Sequence, residues 1–392
     1  MNQKKKKILF CLRDFNHGGI PSCLLQLLRL FDHERYEVEV YCGDQTGVYG
    51  EPFKEFNVLP QDTLMWLLMS NYRKLSGWKK WAAIAVKMAR HGLRKLGFDL
   101  YDWYIAKTAQ KLSRRGVEVA ISFAEGFPCH LGSLISVPRR LTWVHCEYDW
   151  VSPCEDLKLE LTRYSSFDKI VCVSKRTKEA FDNVFPSLSS KTVTVKNVVD
   201  VERIKNLSSQ DSNLEKEFFD VPIRILSVGR VCWQKQFEVI PQIMKSVSQK
   251  IDCKWFIVGG GPDDEVETVT REIIKQGMQE RVIMLGPRSN PYAYMRNSDV
   301  LVVPSRYESY PTVVNESKIV GTPVVCNDFS SVHEIMDENC GVVTTIDNMA
   351  NSLIGLLDST VALKRIKSNI KQFRYDNQPI IEKIYSLIDS DD

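Results

Sequence analysis

Residues 299–334, DVLVVPSRYESYPTVVNESKIVGTPVVCNDFSSVHE, decide the fold. Val300–Val303 is an unbroken apolar, largely β-branched run closed by Pro304, the pattern of a parallel strand buried on both faces. A polar loop with Glu308 follows. Pro311-Thr312 supplies a helix start, the short helix holding Glu316 is predicted to stop at Gly321, and residues 323–326 form the next strand. A strand, loop, helix and strand in so short a span is one tight βαβ unit. Ligands of such units sit at the carboxyl ends of the strands, where loop meets helix. Glu308 and Glu316 therefore place two carboxylates at a ligand-binding position.

The same rhythm runs through the rest of the second half. Ile223–Val228 reads as a strand ended by Gly229-Arg230, with Lys235 five residues beyond the arginine. Residues 254–258 form a strand ended by Gly259-Gly260-Gly261-Pro262, and residues 282–285 one ended by Gly286. Residues 201–220 are polar and helix-like and read as a linker. Before them, residues 8–12, 36–42, 117–123, 140–144, 169–173 and 192–195 carry strand signals separated by helical stretches. Two α/β domains of similar size, each doubly wound, are expected to face a cleft.

At 392 residues, with 44% hydrophobic and 26% charged residues, the chain has the composition of a two-domain globular protein. A formal charge of +3 is too small to imply nucleic acid by itself. Eleven cysteines are scattered singly, without CxxC or metal-type spacing, and read as small buried hydrophobes in a reducing compartment. Lys4 to Lys7 precede too short an apolar run for a secretory signal, and no run approaches the roughly 20 residues of a membrane span. The expected location is cytoplasmic, or peripheral on the inner face of a membrane.

Charge is concentrated in residues 71–115, which hold twelve Lys and Arg against Asp99 and Asp102, interleaved with Trp78, Trp81, Phe98, Trp103 and Tyr104. A basic, Trp-bearing helical segment suits an anionic membrane surface; the alternative is a solvated face of two helices packed on the sheet. No RNA-binding motif accompanies it.

Other residues invite chemistry with less force. Gly18-Gly19, between the first strand and its helix, permits close approach of a phosphate or merely makes a tight turn, and the GxGxxG fingerprint is incomplete. His145, at the end of the strand over 140–144, is either a proton donor or hydrogen-bonding group for a ligand, or a structural histidine. Arg230 and Lys235 complement a diphosphate, the arginine as a planar fork and the lysine as a point charge.

Taken together, SVGRVCWQKQF, FIVGGGPD and VVPSRYESYPTVVNESKIVGTPVV resemble the donor half of retaining glycosyltransferases of family 4, which have the GT-B fold. Glu308 and Glu316 match that family's E-x7-E motif, and the wording of residues 308–343 is most similar to bacterial capsule and exopolysaccharide enzymes. The resemblance covers residues 223–345 and, more weakly, the first half through Gly18-Gly19 and VHCEYDW. It implies an N-terminal acceptor domain over residues 1–200, a nucleotide-sugar donor domain over 201–375, and a C-terminal helix over 376–392 that crosses back to the first domain.

The implied activity is transfer of a hexose from a nucleotide sugar, UDP-linked by family habit, to a lipid-linked or polysaccharide acceptor, with retention at the anomeric carbon and without a metal or other cofactor. Glu316 would hold the ribose and Glu308 the sugar ring. Arg230 and Lys235 would balance charge on the leaving diphosphate. Tyr310, Pro311, Thr312 and Val313 would form the helix start beside it, with no amide from Pro311. Gly18, Gly19, Gly229 and Gly260 would let backbone approach the donor, Arg288 would mark the backbone that meets the base, and His145 would face the sugar. Departures are Gln236 where the family has Gly after the lysine, and Ile-Pro-Ser after Gly19. Competing possibilities are a nucleotide-sugar epimerase or hydrolase on the same fold, a non-catalytic membrane-binding scaffold and, more distantly, an NAD enzyme.

Overall fold

The computed structural model describes residues 4–16, 18–151, 156–210 and 214–390. Two compact units emerge: Met1–Val173 with Thr177–Lys196 and Ile381–Asp392, and Ser174–Arg176 with Asn197–Ile380.

The first unit is built on six parallel strands: β1 (Lys6–Asp14), β2 (Tyr36–Asp44), β3 (Val119–Ser122), β4 (Arg139–Val144), β5 (Lys169–Cys172) and β6 (Thr192–Thr194), in the order β2-β1-β3-β4-β5-β6. Ile8, Leu9, Phe10 and Cys11 are fully buried, as a continuous apolar run in a two-faced parallel sheet requires. Most of β2 is buried as well. Glu37 is exposed there; Glu39 is buried, held by Arg115 at 2.6 and 2.7 Å and by Lys7 at 3.1 Å. The Arg115 hydrogen bond outweighs burial and holds the Glu39 carboxyl below its ordinary range.

Residues of the helix Gln378–Asp389 complete this unit. Ile384 and Ile388 are buried, and Asp389 accepts hydrogen bonds from Tyr36 (2.7 Å) and Arg35. Tyr385 packs edge-on to Phe31 at 5.2 Å.

The second unit contains β7 (Ile223–Val228), β8 (Cys253–Val258), β9 (Val282–Gly286), β10 (Val300–Val303), β11 (Val324–Asn327) and β12 (Gly341–Thr344), all parallel, ordered β12-β11-β10-β7-β8-β9. The chain winds outward from β7 in one direction and from β10 in the other, so the strand order reverses between them. Ser227 ties the centre of this sheet: its hydroxyl donates to Val302 carbonyl at 2.8 Å and accepts from the Trp255 indole at 3.0 Å.

Residues 201–220 are not a linker. The helices Val201–Ser208 and Lys216–Phe219 pack on the second unit, with Ile204 and Phe218 buried and the Phe218 ring 4.7 Å from Phe256. One or two apolar anchors per helix suffice for docking but leave too faint a stripe to read in a polar sequence. Within the same stretch, residues 211–213 lie outside the described residues.

Candidate functional site

The reversal between β7 and β10 leaves their carboxyl-end loops side by side, the position at which doubly wound sheets bind ligands. The two loops are stitched together. Arg306 donates its backbone N–H to Gln234 carbonyl at 2.9 Å, and the Gln234 side chain returns a hydrogen bond to Tyr307 carbonyl at 3.1 Å.

This places Lys235 on Glu308. Its ammonium is 2.5 Å from Glu308 Oε1, which also accepts from Ser305 Oγ at 2.7 Å. Ser331 donates to the Glu308 backbone carbonyl, and Asn327 fixes Ser305 through its carbonyl at 2.9 Å. Sequence separated the roles of Lys235 and Glu308; the folded protein makes them an ion pair. Both side chains are largely buried, and each meets the other's opposite charge. Arg230, by contrast, is exposed and makes no side-chain hydrogen bond or ion pair among the described residues. It is a guanidinium without a partner beside a satisfied lysine.

Gln236, which follows Lys235, adopts φ 57° and ψ 36°, the only non-glycine residue with positive φ among the described residues. The chain turns there as a glycine would.

The helix Thr312–Val320 begins after Pro311 and ends on Gly321, whose φ of 91° closes it. Its first amides, including Thr312 and Val313, have no partner inside the helix and point out of its positive end. Glu316 lies one turn in and is buried. Burial pushes its carboxyl up to about 7, against the lowering pull of a hydrogen bond from Thr312 and of the Lys235 charge. Tyr310 is buried, its hydroxyl 3.1 Å from that of Tyr375 and taking a hydrogen bond from Asn315 at 3.3 Å.

The glycine run has a packing role that sequence did not reveal. Gly229 donates to Val258 carbonyl, Val231 to Gly260 carbonyl and Gly259 to Gly286 carbonyl, each at 3.0 Å, which zips the loops after β7, β8 and β9 together. A Cβ on Gly259 would lie 1.7 Å from Gly229 oxygen, and one on Gly261 would lie 1.9 Å from Val231 oxygen. Gly260 is different; its Cβ would only touch the Pro287 ring at 3.5 Å. Next to Pro287, the Arg288 side chain pairs with Glu215 and with Tyr294 hydroxyl at 3.2 Å. Glu215, Ser305, Ser331 and Tyr375 have no motif signal, because contacts across the fold alone define them.

In the first unit, Gly18 and Gly19 sit at the start of the helix Gly19–Arg29. Gly18 has ordinary extended backbone, and a Cβ on Gly19 would meet nothing within 4 Å. Nothing in the fold demands glycine at 19.

His145 follows β4. Its backbone N–H and that of Cys146 (2.8 Å) both donate to the Glu125 carboxylate. Its ring packs 5.1 Å from Phe123 and bonds the Phe123 carbonyl, while Nε2 is shielded from solvent and has no partner among the described residues. The bond to Phe123 is therefore made by Nδ1–H, which leaves Nε2 with a lone pair. Desolvation drives the imidazole down to about 3. A ring that is neutral at physiological pH, with its Nδ1–H committed to Phe123, offers Nε2 as a hydrogen-bond acceptor.

Two Rossmann-like parallel-sheet units of six strands each are the GT-B fold. Residues 222–359, which include β7 to β12, match the family model described as Glycosyl transferases group 1. Among curated relatives, the amylovoran biosynthesis glycosyltransferase AmsD of Erwinia amylovora is 27% identical over 223 residues, 56% of this chain and 60% of that protein. The N-acetylgalactosamine-N,N'-diacetylbacillosaminyl-diphospho-undecaprenol 4-alpha-N-acetylgalactosaminyltransferase of Campylobacter jejuni is 30% identical over 196 residues, 49% of this chain and 51% of that one. The matched region thus spans about half to three-fifths of these relatives' length. Among solved structures, Anabaena HepE in complex with UDP and glucose superposes with a TM-score of 0.75 at 18% identity, covering 98% of this chain and all of that one.

Proposed function

We propose that this chain is a retaining glycosyltransferase of the family 4 type, moving a hexose from a UDP-sugar to a sugar acceptor carried on a lipid diphosphate, in surface polysaccharide biosynthesis. The observation that carries the proposal is the constellation at the β7–β10 reversal: the Lys235–Glu308 pair, the unpartnered Arg230 and the buried Glu316 behind a helix N-terminus. The UDP bound by Anabaena HepE and the lipid-diphosphate acceptor named for the C. jejuni relative support its donor and acceptor classes.

On this reading the donor diphosphate lies against Arg230, Lys235 and the Thr312 and Val313 amides. Those groups favour the negative charge that grows as the leaving group departs. The anomeric C–O bond to the diphosphate breaks, a bond to the acceptor hydroxyl oxygen forms on the same face, and the hydroxyl proton passes to the departing phosphate oxygen. No glutamate acts as nucleophile. Glu316 accepts from ribose hydroxyls, and Glu308 accepts from sugar hydroxyls without leaving Lys235. Four cationic or amide donors at the diphosphate make a metal ion unnecessary. The enzyme works at the cytoplasmic face of a membrane as a peripheral protein.

Incubation with a panel of UDP-sugars and a lipid-diphosphate-linked sugar, followed by product NMR, tests this. The expected product is an acceptor glycoside with the donor's anomeric configuration. Acceptor-independent epimerisation or hydrolysis, or an inverted product, would contradict it.

A further inference from the structure

The helix Gly77–Lys95 has two apolar faces and packs with only one. Ala82, Ala83 and Val86 lie against Trp66, Leu67, Tyr72 and Leu75, and Ala83 is the helix's only buried residue. On the other side Trp78, Trp81, Ala85, Met88 and Ala89 recur at helical spacing, and Leu96 continues the stripe past the last turn. Trp78, Trp81, Met88 and Leu96 are 68, 70, 69 and 82% exposed. At 1.5 Å per residue this stripe is about 27 Å long. An apolar stripe of that length turned to water marks an interaction surface.

Charge selects the occupant. The helix holds six Lys and Arg and no acid. Lys80 and Lys95 flank the stripe, exposed and without an ion pair among the described residues, and Arg94 is only 4.0 Å from Asp99. Beyond the helix, Phe98 and Trp103 carry the exposed aromatic surface onward, their rings 6.0 Å apart, with Lys107 over Trp103 at 5.2 Å. A second copy of this chain would bring like-charged flanks together. Nucleic acid would use the rings but gains nothing from Met88 and Leu96. An anionic bilayer satisfies both the stripe and the flanks, and no helix among the described residues is long and apolar enough to cross one.

We propose that the helix Gly77–Lys95 lies in the headgroup region of an anionic phospholipid bilayer, with Trp78, Trp81, Met88 and Leu96 inserted and Lys80 and Lys95 on lipid phosphates. The proposal rests on the membrane association named under the proposed function and supplies its surface, yet it can be tested without turnover. Co-sedimentation uses vesicles of equal parts phosphatidylglycerol and phosphatidylcholine, and vesicles of phosphatidylcholine alone. The full chain should partition to the anionic vesicles and less so as salt rises. Trp78→Ser/Trp81→Ser and Lys80→Gln/Lys95→Gln should each lower partitioning about tenfold or more. UDP affinity, followed in parallel, should be unchanged in both variants, and calorimetry should show that the first unit still melts as in wild type. Equal partitioning of variant and wild type would overturn the proposal. So would a dimer abolished by the Trp pair with vesicle binding intact, or preferential binding of a short RNA. Failure of the wild type to bind UDP would count against the transferase reading and leave this surface standing.

Discussion

Glu316 is where burial and charge conflict. Its carboxyl is raised from 4.5 to about 7, so its contribution to folding is fully present below pH 4.5 and is lost as pH rises through 7. Glu316→Gln removes that dependence. The variant should gain stability over wild type as pH climbs across this window, by on the order of 3 kcal/mol at its upper end, in urea melts at matched pH. The same variant should bind UDP more weakly, with the gap widening above pH 7, where wild type offers a carboxylate to the ribose. A second residue-scale prediction concerns Gln236. Left-handed backbone costs a non-glycine residue about 1–2 kcal/mol, so Gln236→Gly should raise the urea midpoint by up to about 1 kcal/mol equivalent, after glycine's greater unfolded-state freedom. Sequence spacing put Lys235 and Glu308 in strand-end loops and Glu316 in the helix that follows, but the Lys235–Glu308 pair spans 73 residues and has no local signature. Nor does His145's protonation state, which follows from the walls around its ring rather than from its place after a strand.

At the scale of elements, the parallel strands were legible because burial on both faces demands unbroken apolar runs. Val300–Val303 and Ile223–Val228 are bounded as their sequences suggest. Residues 201–220 misled because their two short helices bury few apolar side chains, Ile204 and Phe218, and are otherwise held by polar ties such as Glu215 to Arg288. The glycines divide by physical role. Gly261→Ala should destabilise severely or prevent folding, since its Cβ would meet the Val231 carbonyl at 1.9 Å and neither loop can retreat without breaking the bond between Val231 and Gly260. Gly19→Ala should leave the melting temperature within a degree or two, because nothing occupies the space, while lowering transferase activity if a diphosphate approaches that backbone. Thermal melts beside initial rates separate the two.

At the scale of the whole molecule, the chain's last segment belongs to the unit that its first segment begins. Removing residues 381–392 strips Ile384 and Ile388 from buried positions and leaves Lys6, Arg35 and Tyr36 without Asp389. Two buried isoleucines are worth about 3–6 kcal/mol, so the truncated protein should show an early-melting transition in calorimetry, assignable to the first unit. The central claim, that the β7–β10 reversal of the second unit holds a nucleoside diphosphate, has a direct test in isothermal titration of UDP into wild type, Arg230→Ala and Glu316→Ala. A charge-assisted contact of about 1.5–3 kcal/mol predicts that Arg230→Ala weakens UDP binding roughly tenfold to hundredfold while the melting temperature holds. Glu316→Ala should weaken it as well. Unchanged UDP affinity in both variants, or no UDP binding by the wild type, would contradict the account.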